Sequence, residues 1–195
     1  MRGFEKYPAL YDAFCALAER WGLARWRDWL AAGARGRTLE VGCGTGRNLG
    51  RYPAGLQVVA IDPDARMVGA ARRRAPPNGM LVRARVEALP FRGAAFDTVV
   101  SSLVFCTVPE VAAGLGEVRR VLRRDGQLRM VEHVRSARRW VARWQDLVQP
   151  AWSWAAGGCH PNRSTEEAVE RAGFAIEGSG RRRRGSMRRF SARPS

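Results

Sequence analysis

Leu39-Glu40-Val41-Gly42-Cys43-Gly44-Thr45-Gly46 is the run on which the fold turns. Thr38–Val41 reads as a short apolar strand, and it runs straight into glycines. Glycine permits the tight turn such a junction needs and lets the backbone approach a ligand with no Cβ in the way. The spacing selects the ligand. A dinucleotide loop is G-x-G-x-x-G, and its third glycine would fall at position 47, which is Arg47. Here the pattern is G-x-G-x-G with Glu40 just upstream, and a carboxylate at that point suits an ammonium-bearing ligand better than a pyrophosphate.

Working outward, strand-like and helix-like segments alternate. A helix is expected from about Gly46 to just before Pro53, a β-branched strand over residues 57–61, and a helix over 64–74 closed by Pro76-Pro77-Asn78-Gly79. Strands follow at 80–84 and 96–101, the second almost wholly apolar, as in the middle of a helix-covered parallel sheet. Then come a helix over 110–123, a turn at Asp125-Gly126 and a strand over 127–134. A Trp-rich helical region at 137–156, a helix at 164–172 and strands at 174–177 and 187–191 complete the order. Upstream, Tyr7, Leu10, Tyr11, Phe14, Leu17 and Trp21 recur at helical steps through about residue 31, with Gly22 as a break and Gly33 as a stop. Such alternation predicts a doubly wound α/β fold with right-handed crossovers, whose ligands bind beyond the carboxyl ends of the strands.

Asp62 stands at one such end, twenty residues beyond Gly42. An acidic side chain there accepts from both hydroxyls of a ribose; an Asp before Pro63 is also a common turn starter. Met67, one turn into the next helix, has two equal readings, packing on a base or packing in the core.

At 195 residues the chain has length for one domain with a real core. It divides into a helical cap (1–34), a cofactor-binding core (35–134), and substrate-side helices with closing strands and a basic tail (135–195). Charges interrupt every apolar run before it could span a membrane, and Met1 to Lys6 lack the apolar segment of a secretory signal, so a cytoplasmic protein is expected. Cys15, Cys43, Cys106 and Cys159 form no C-x-x-C pair, so buried free thiols are expected and no metal site. The net charge of +16 attracts nucleic acid, anionic lipid or acidic partners. Lys6 is the single lysine, and most arginines read as solvated helix faces; only Arg181 to Arg184 with Arg188 and Arg189 look like a patch.

Taken together, LEVGCGTG, AIDPD, VEALPF, FDTVVSSLVFCTVPE and EVRRVLRRDGQLRMVEH resemble the class I S-adenosylmethionine (SAM)-dependent methyltransferases of the type 11 superfamily, over about residues 37–134. The resemblance implies a mostly parallel, seven-stranded Rossmann-like sheet with SAM as cofactor. It implies SAM above Gly42, Cys43, Gly44, Thr45 and Gly46, with Glu40 at its ammonium and Asp62 and Pro63 at its ribose. Val86 and Glu87 would then frame the adenine, and Ser101 and Ser102 the methionine end. One departure stands out. Where the family commonly has an Asp that accepts from the adenine amino group, this chain has Arg85, which cannot accept a hydrogen bond.

The C-terminal third, with Glu132-His133-Val134, Trp140, Trp144-Gln145, Pro150, Trp152, Gly158-Cys159, Arg163 and Thr165, resembles the methyltransferase-like seven group of thiol S-methyltransferases. That implies a small, hydrophobic acceptor, a thiol in the narrower reading. Methyl transfer is an in-line displacement, so the protein chiefly positions the reactants. His133 is the candidate base, against a purely structural histidine, and Glu132 either orients it or faces the opposite side. The tryptophans read as an apolar lid or as plain helix core. Two other readings stand: a phospholipid or quinone-type lipid methyltransferase at the inner face of a membrane, and a nucleic-acid-binding protein or RNA methyltransferase led by its arginines. Against the latter, the basic stretch lacks interleaved aromatics, so a nucleic-acid partner is not expected.

Overall fold

The computed structural model describes residues 7–156 and 158–195; Met1 to Lys6, read above for the absence of a leader, lie outside them. Four strands carry the centre: β1 (Thr38–Val41), β2 (Val58–Asp62), β3 (Met80–Arg83) and β4 (Phe96–Ser102). Every residue of β1 and β2 is buried, whereas β3 is exposed at both its ends. Strands buried on both faces take central places, and β3, the more exposed strand, lies at the edge. The sheet continues through β5 (Leu122–His133), β6 (Phe174–Ile176), β7 (Arg182–Arg184) and β8 (Met187–Pro194) in the order β3-β2-β1-β4-β5-β8-β6. Strands β1 to β5 pair in parallel, and β8 runs antiparallel between β5 and β6.

The chain leaves β1 toward β2 and β3, then returns to β4 on the other side of β1. That reversal opens a crevice beyond the carboxyl ends of β1 and β4, where ligands of such sheets bind. Helix α1 (Pro8–Ala18) runs through a π-helical turn at Glu19–Leu23 into α2 (Ala24–Ala32), and the wide turn is centred on Gly22 at φ +111°. Helices α3 (Ala65–Ala71), α4 (Val111–Val121), α5 (Arg139–Ala155) and α6 (Thr165–Arg171) complete the layers. Leu115, Val118 and Val121 of α4 are fully buried against the sheet together with Phe96, Val99 and Phe190. Each such side chain contributes about 1.5–3 kcal/mol.

Three expectations change. No α-helix follows the glycine loop: Gly44 and Gly46 adopt φ of +54° and +82°, and only a single 3-10 turn forms at Leu49–Arg51. Left-handed residues cannot continue a right-handed helix. The Asp125-Gly126 turn is an irregularity inside β5, where the register with β4 jumps between Phe96 and Thr98. The arginine tract is no tail: Arg182–Arg184 is strand β7, which makes the sheet eight-stranded where seven were expected, and it pairs residue for residue with Arg189, Arg188 and Met187. A charged strand of this kind blunts the sheet edge against pairing with another chain.

Candidate functional site

The crevice holds two adjoining cavities. The smaller, ≈ 290 Å³, lies over the glycine loop and is lined by Gly42, Gly44, Asp62, Pro63, Arg85, Val86, Glu87 and Ser102 among others. Gly42 has φ +61°, and a Cβ there would stand 2.5 Å from Val104 Cγ2, so only glycine fits. The Gly44 N–H donates to Asp62 Oδ2 at 2.9 Å and the Asp64 N–H to Oδ1 at 2.9 Å. The two motifs are thereby clamped together, and each carboxylate oxygen keeps one lone pair that these amides do not use. Burial pushes the Asp62 carboxyl up, while these two amides pull it back.

Glu40 does not line this cavity. It is fully buried, accepting from Asn48 Nδ2 at 2.9 Å and from Tyr52 Oη at 2.8 Å. Arg27 Nη1 in turn donates to Asn48 Oδ1 at 2.8 Å and to Ser102 Oγ at 3.3 Å, so the network ties α2 to both walls of the cleft. Burial raises the Glu40 carboxyl to about 7 against these hydrogen bonds. Thr45 faces the cap: its hydroxyl donates to Asp12 Oδ1 at 2.5 Å, and Arg74 Nη1 donates to its carbonyl at 2.9 Å. Arg47, which breaks the dinucleotide spacing, pairs with Glu19 at 2.6 Å and fixes the cap on the loop. Cys43 is buried below the turn, donating its N–H to Ile61 O at 2.9 Å. Gly46 packs against Ala71, and Met67 is buried in α3 outside the cavity lining. Arg85, where the resemblance expects an acidic residue, lines the cleft and pairs with Glu87 at 3.1 Å.

Glu132 and His133 part company. Consecutive strand residues point to opposite faces, and Glu132 turns inward. Its Oε1 accepts from Ser101 Oγ at 2.8 Å and from the N–H groups of Val104 and Phe105 at 3.1 and 3.2 Å. It therefore holds the loop after β4 and does not orient His133; the catalytic role expected for it is corrected to a positioning one. Burial raises its carboxyl to about 7. Ser101 is buried beneath it, whereas Ser102 reaches the cleft.

His133 faces the second cavity, ≈ 600 Å³ and mostly apolar, bounded by Phe14, Leu23, Trp26 and Trp152 and by Gln145 and Met187 among others. Leu103 borders both cavities, held at φ +60° with its N–H on Val131 O at 2.7 Å. A non-glycine residue in this region costs on the order of 1–3 kcal/mol and persists where the surroundings impose it. Trp152 lines this cavity, whereas Trp140, Trp144 and Trp154 are neither in its lining nor in the core but exposed.

Behind His133 lie Cys106, from the loop after β4, and Cys159, from the loop after α5, with all three donor atoms within 4.8 Å of one another. Cys159 Sγ is 4.0 Å from His133 Nδ1. A hydrogen bond from Cys106, opposed by burial and helped by His133 and Trp152, pulls the Cys159 thiol well below its ordinary value. Nothing in the local flanks of these residues signalled this, because the trio is assembled from three separate elements. The four cysteines are buried thiols that form no disulfide, as expected.

With this geometry in view, the relatives can be placed. Residues 39–130 match the methyltransferase domain model of the type 11 family. The human thiol S-methyltransferase TMT1A is 31% identical over 87% of this chain and 72% of its own length. The human thiol S-methyltransferase TMT1B is 35% identical over 73% of this chain, which spans only 62% of that relative. Two solved folds superpose on it: a SAM-dependent methyltransferase from Thermotoga maritima (TM-score 0.66, 20% identity, 95% of this chain and 98% of that one) and one from Mesorhizobium loti (TM-score 0.65, 21% identity, 87% and 96%). The glycine loop clamped to Asp62, the strand order and these likenesses agree: the chain belongs to the class I SAM-dependent methyltransferases, and its cofactor is S-adenosyl-L-methionine.

Proposed function

We propose that the chain transfers the methyl group of SAM to the sulfur of a small apolar thiol held in the larger cavity. The observation that carries this reading is the shared wall at Leu103: an apolar chamber opens directly beside the cofactor cleft, and His133 stands in its lining. A thiol with pKa near ~8.5 is only a few per cent ionised at neutral pH, so it must lose a proton near His133 before it attacks. The relatives named thiol S-methyltransferases support the same acceptor class. Labelled-methyl transfer to short alkyl thiols tests it. His133→Ala is expected to lower the rate and to move the pH profile toward that of the free thiol. Full activity with an unchanged profile would remove His133 from the reaction.

A peripheral contact with an anionic membrane is a second proposal. Trp140, Trp144, Leu147 and Trp154 lie within one face of α5 and are 61–75% exposed, and Arg139 and Arg143 stand in the same helix. Tryptophan prefers the bilayer interface, and arginine favours anionic lipid. Among the described residues no helix is long and apolar enough to cross a membrane. Sedimentation with anionic vesicles, lost in Trp140→Ala/Trp144→Ala, checks the contact; equal sedimentation of both proteins refutes it.

A further inference from the structure

We propose that Cys106, His133 and Cys159 bind a zinc-type divalent cation whose fourth coordination position takes the sulfur of the acceptor. This deepens the thiol reading and rests on it for the identity of that fourth ligand.

The donor set comes first. Two sulfurs and one imidazole nitrogen, with no carboxylate among them, are the borderline-soft ligands that zinc prefers. Three protein ligands with one place left open are the pattern of catalytic zinc. Separation comes second. Bonds of about 2.3 Å to sulfur and about 2.0 Å to nitrogen in a tetrahedron put ligand atoms roughly 3.5–3.8 Å apart. Cys159 Sγ and His133 Nδ1 are 4.0 Å apart, and no pair in the trio exceeds 4.8 Å. Rotamer adjustments of a few tenths of an ångström to about 1 Å close the set.

The backbone around the trio is fixed independently of any ion. The His160 N–H donates to Cys106 O at 2.7 Å, and Ser153 Oγ donates to Cys159 O at 2.8 Å. Arg163 Nη1 donates to the carbonyls of Phe105 and Val108 at 2.7 and 2.6 Å, which pins the loop that carries Cys106. The cysteines are buried with Ala156, while His133 reaches the wall of the acceptor cavity. An ion held there presents its free position on the side where a thiol arrives.

The step is redox-neutral. When the thiol binds the cation its S–H bond breaks and the proton leaves to solvent. The bound thiolate sulfur gives an electron pair to the sulfonium methyl and forms the S–CH3 bond. The methyl–sulfur bond of SAM breaks, and its pair stays on the sulfur of S-adenosylhomocysteine. The neutral thioether is the poorer ligand and departs. His133 then acts by holding the cation through Nδ1.

The test is titration of the reduced protein with Co2+ and Zn2+. Expected are about one equivalent bound, sulfur-to-cobalt charge-transfer absorption, and a spectral change when a short alkyl thiol is added. Cys106→Ser and Cys159→Ser are each expected to weaken the charge-transfer band and to lower Zn2+ affinity by more than about 100-fold, beyond what loss of an outer-shell partner costs, and the double serine variant is expected to lose the band. S-adenosylhomocysteine affinity checks that each variant is folded, and Cys159→Ala replaces any variant that fails this check. Cobalt binding unchanged in the double serine variant, no charge-transfer band in the parent, or full thiol methylation by chelator-treated protein would each overturn the proposal. A band that forms but ignores added thiol would overturn the fourth-position claim. A chain that binds Co2+ through the trio and methylates no thiol would keep the metal site and sink the acceptor reading, so the two failures are distinct.

Discussion

The backbone N–H of Gly44 donates to Asp62 Oδ2 at 2.9 Å, so the glycine turn after β1 and the acid at the end of β2 form one unit. The acid thus orders the turn and faces the cofactor cleft. Removing it costs both. Asp62→Ala is expected to weaken S-adenosylhomocysteine binding by about 10–100-fold for each ribose hydrogen bond it removes, since a hydrogen bond to a charged acceptor contributes about 1.5–3 kcal/mol. Asp62→Asn, which keeps one acceptor oxygen, is expected to fall between. Calorimetric titration reads both; an affinity of Asp62→Ala equal to the parent would contradict the ribose role.

Gly42→Ala strains the turn twice, through φ +61° and through a Cβ 2.5 Å from Val104 Cγ2. A loss of about 1–3 kcal/mol in stability is expected. Adding Val104→Ala should recover the steric part and leave the backbone part. Denaturant unfolding separates the two, and full recovery in the double variant would show that the conformation itself costs nothing.

Arg85 lines the cofactor cleft, paired with Glu87, and offers no acceptor to an amino group. Arg85→Asp supplies one and releases Glu87. SAM binding is expected to tighten by about 3–10-fold. The control is the same substitution at Arg171, which does not line the cleft; equal effects at the two positions would mean that only net charge matters.

Glu132 is buried, its Oε1 takes three donors, and its carboxyl is raised to about 7. In the unfolded chain it would titrate near its ordinary 4.5. Between those values the unfolded state has released the proton and the folded state still holds it, so rising pH disfavours the fold. Glu132→Gln removes this penalty. Relative to the parent it should gain stability as pH rises from about 4.5 to beyond 7, by on the order of 3 kcal/mol at most. Denaturant midpoints across that range check the sign, and a stability difference that shrinks with pH would refute it.

Much of this was readable in the residues because the central strands are apolar on both faces and end in chemistry-bearing positions. Gly42, Gly44, Asp62, Pro63, Val86, Glu87 and Ser102 line the cleft as their places after strands suggest. Glu40, Thr45, Met67 and Ser101 do not line it, since each is spent on packing or on a partner inside the protein. The helix expected after the loop failed because two left-handed glycines stop it from starting. The arginine tract became β7 because β8 offered an unpaired edge, which local charge cannot reveal. The trio of Cys106, His133 and Cys159 was illegible for a related reason: spacing rules see ligands on one element, and the fold gathers these from three.

The most direct measurement supplies SAM with a labelled methyl group to the purified chain with short alkyl thiols and their alcohol and amine analogues. Mass spectrometry then follows where the label goes. The apolar chamber beside the cofactor, with His133 in its wall, predicts label in the thioether, faster for thiols than for the matched alcohols and amines. Cofactor that binds while thiols stay unlabelled and an alcohol or amine takes the methyl group would contradict it.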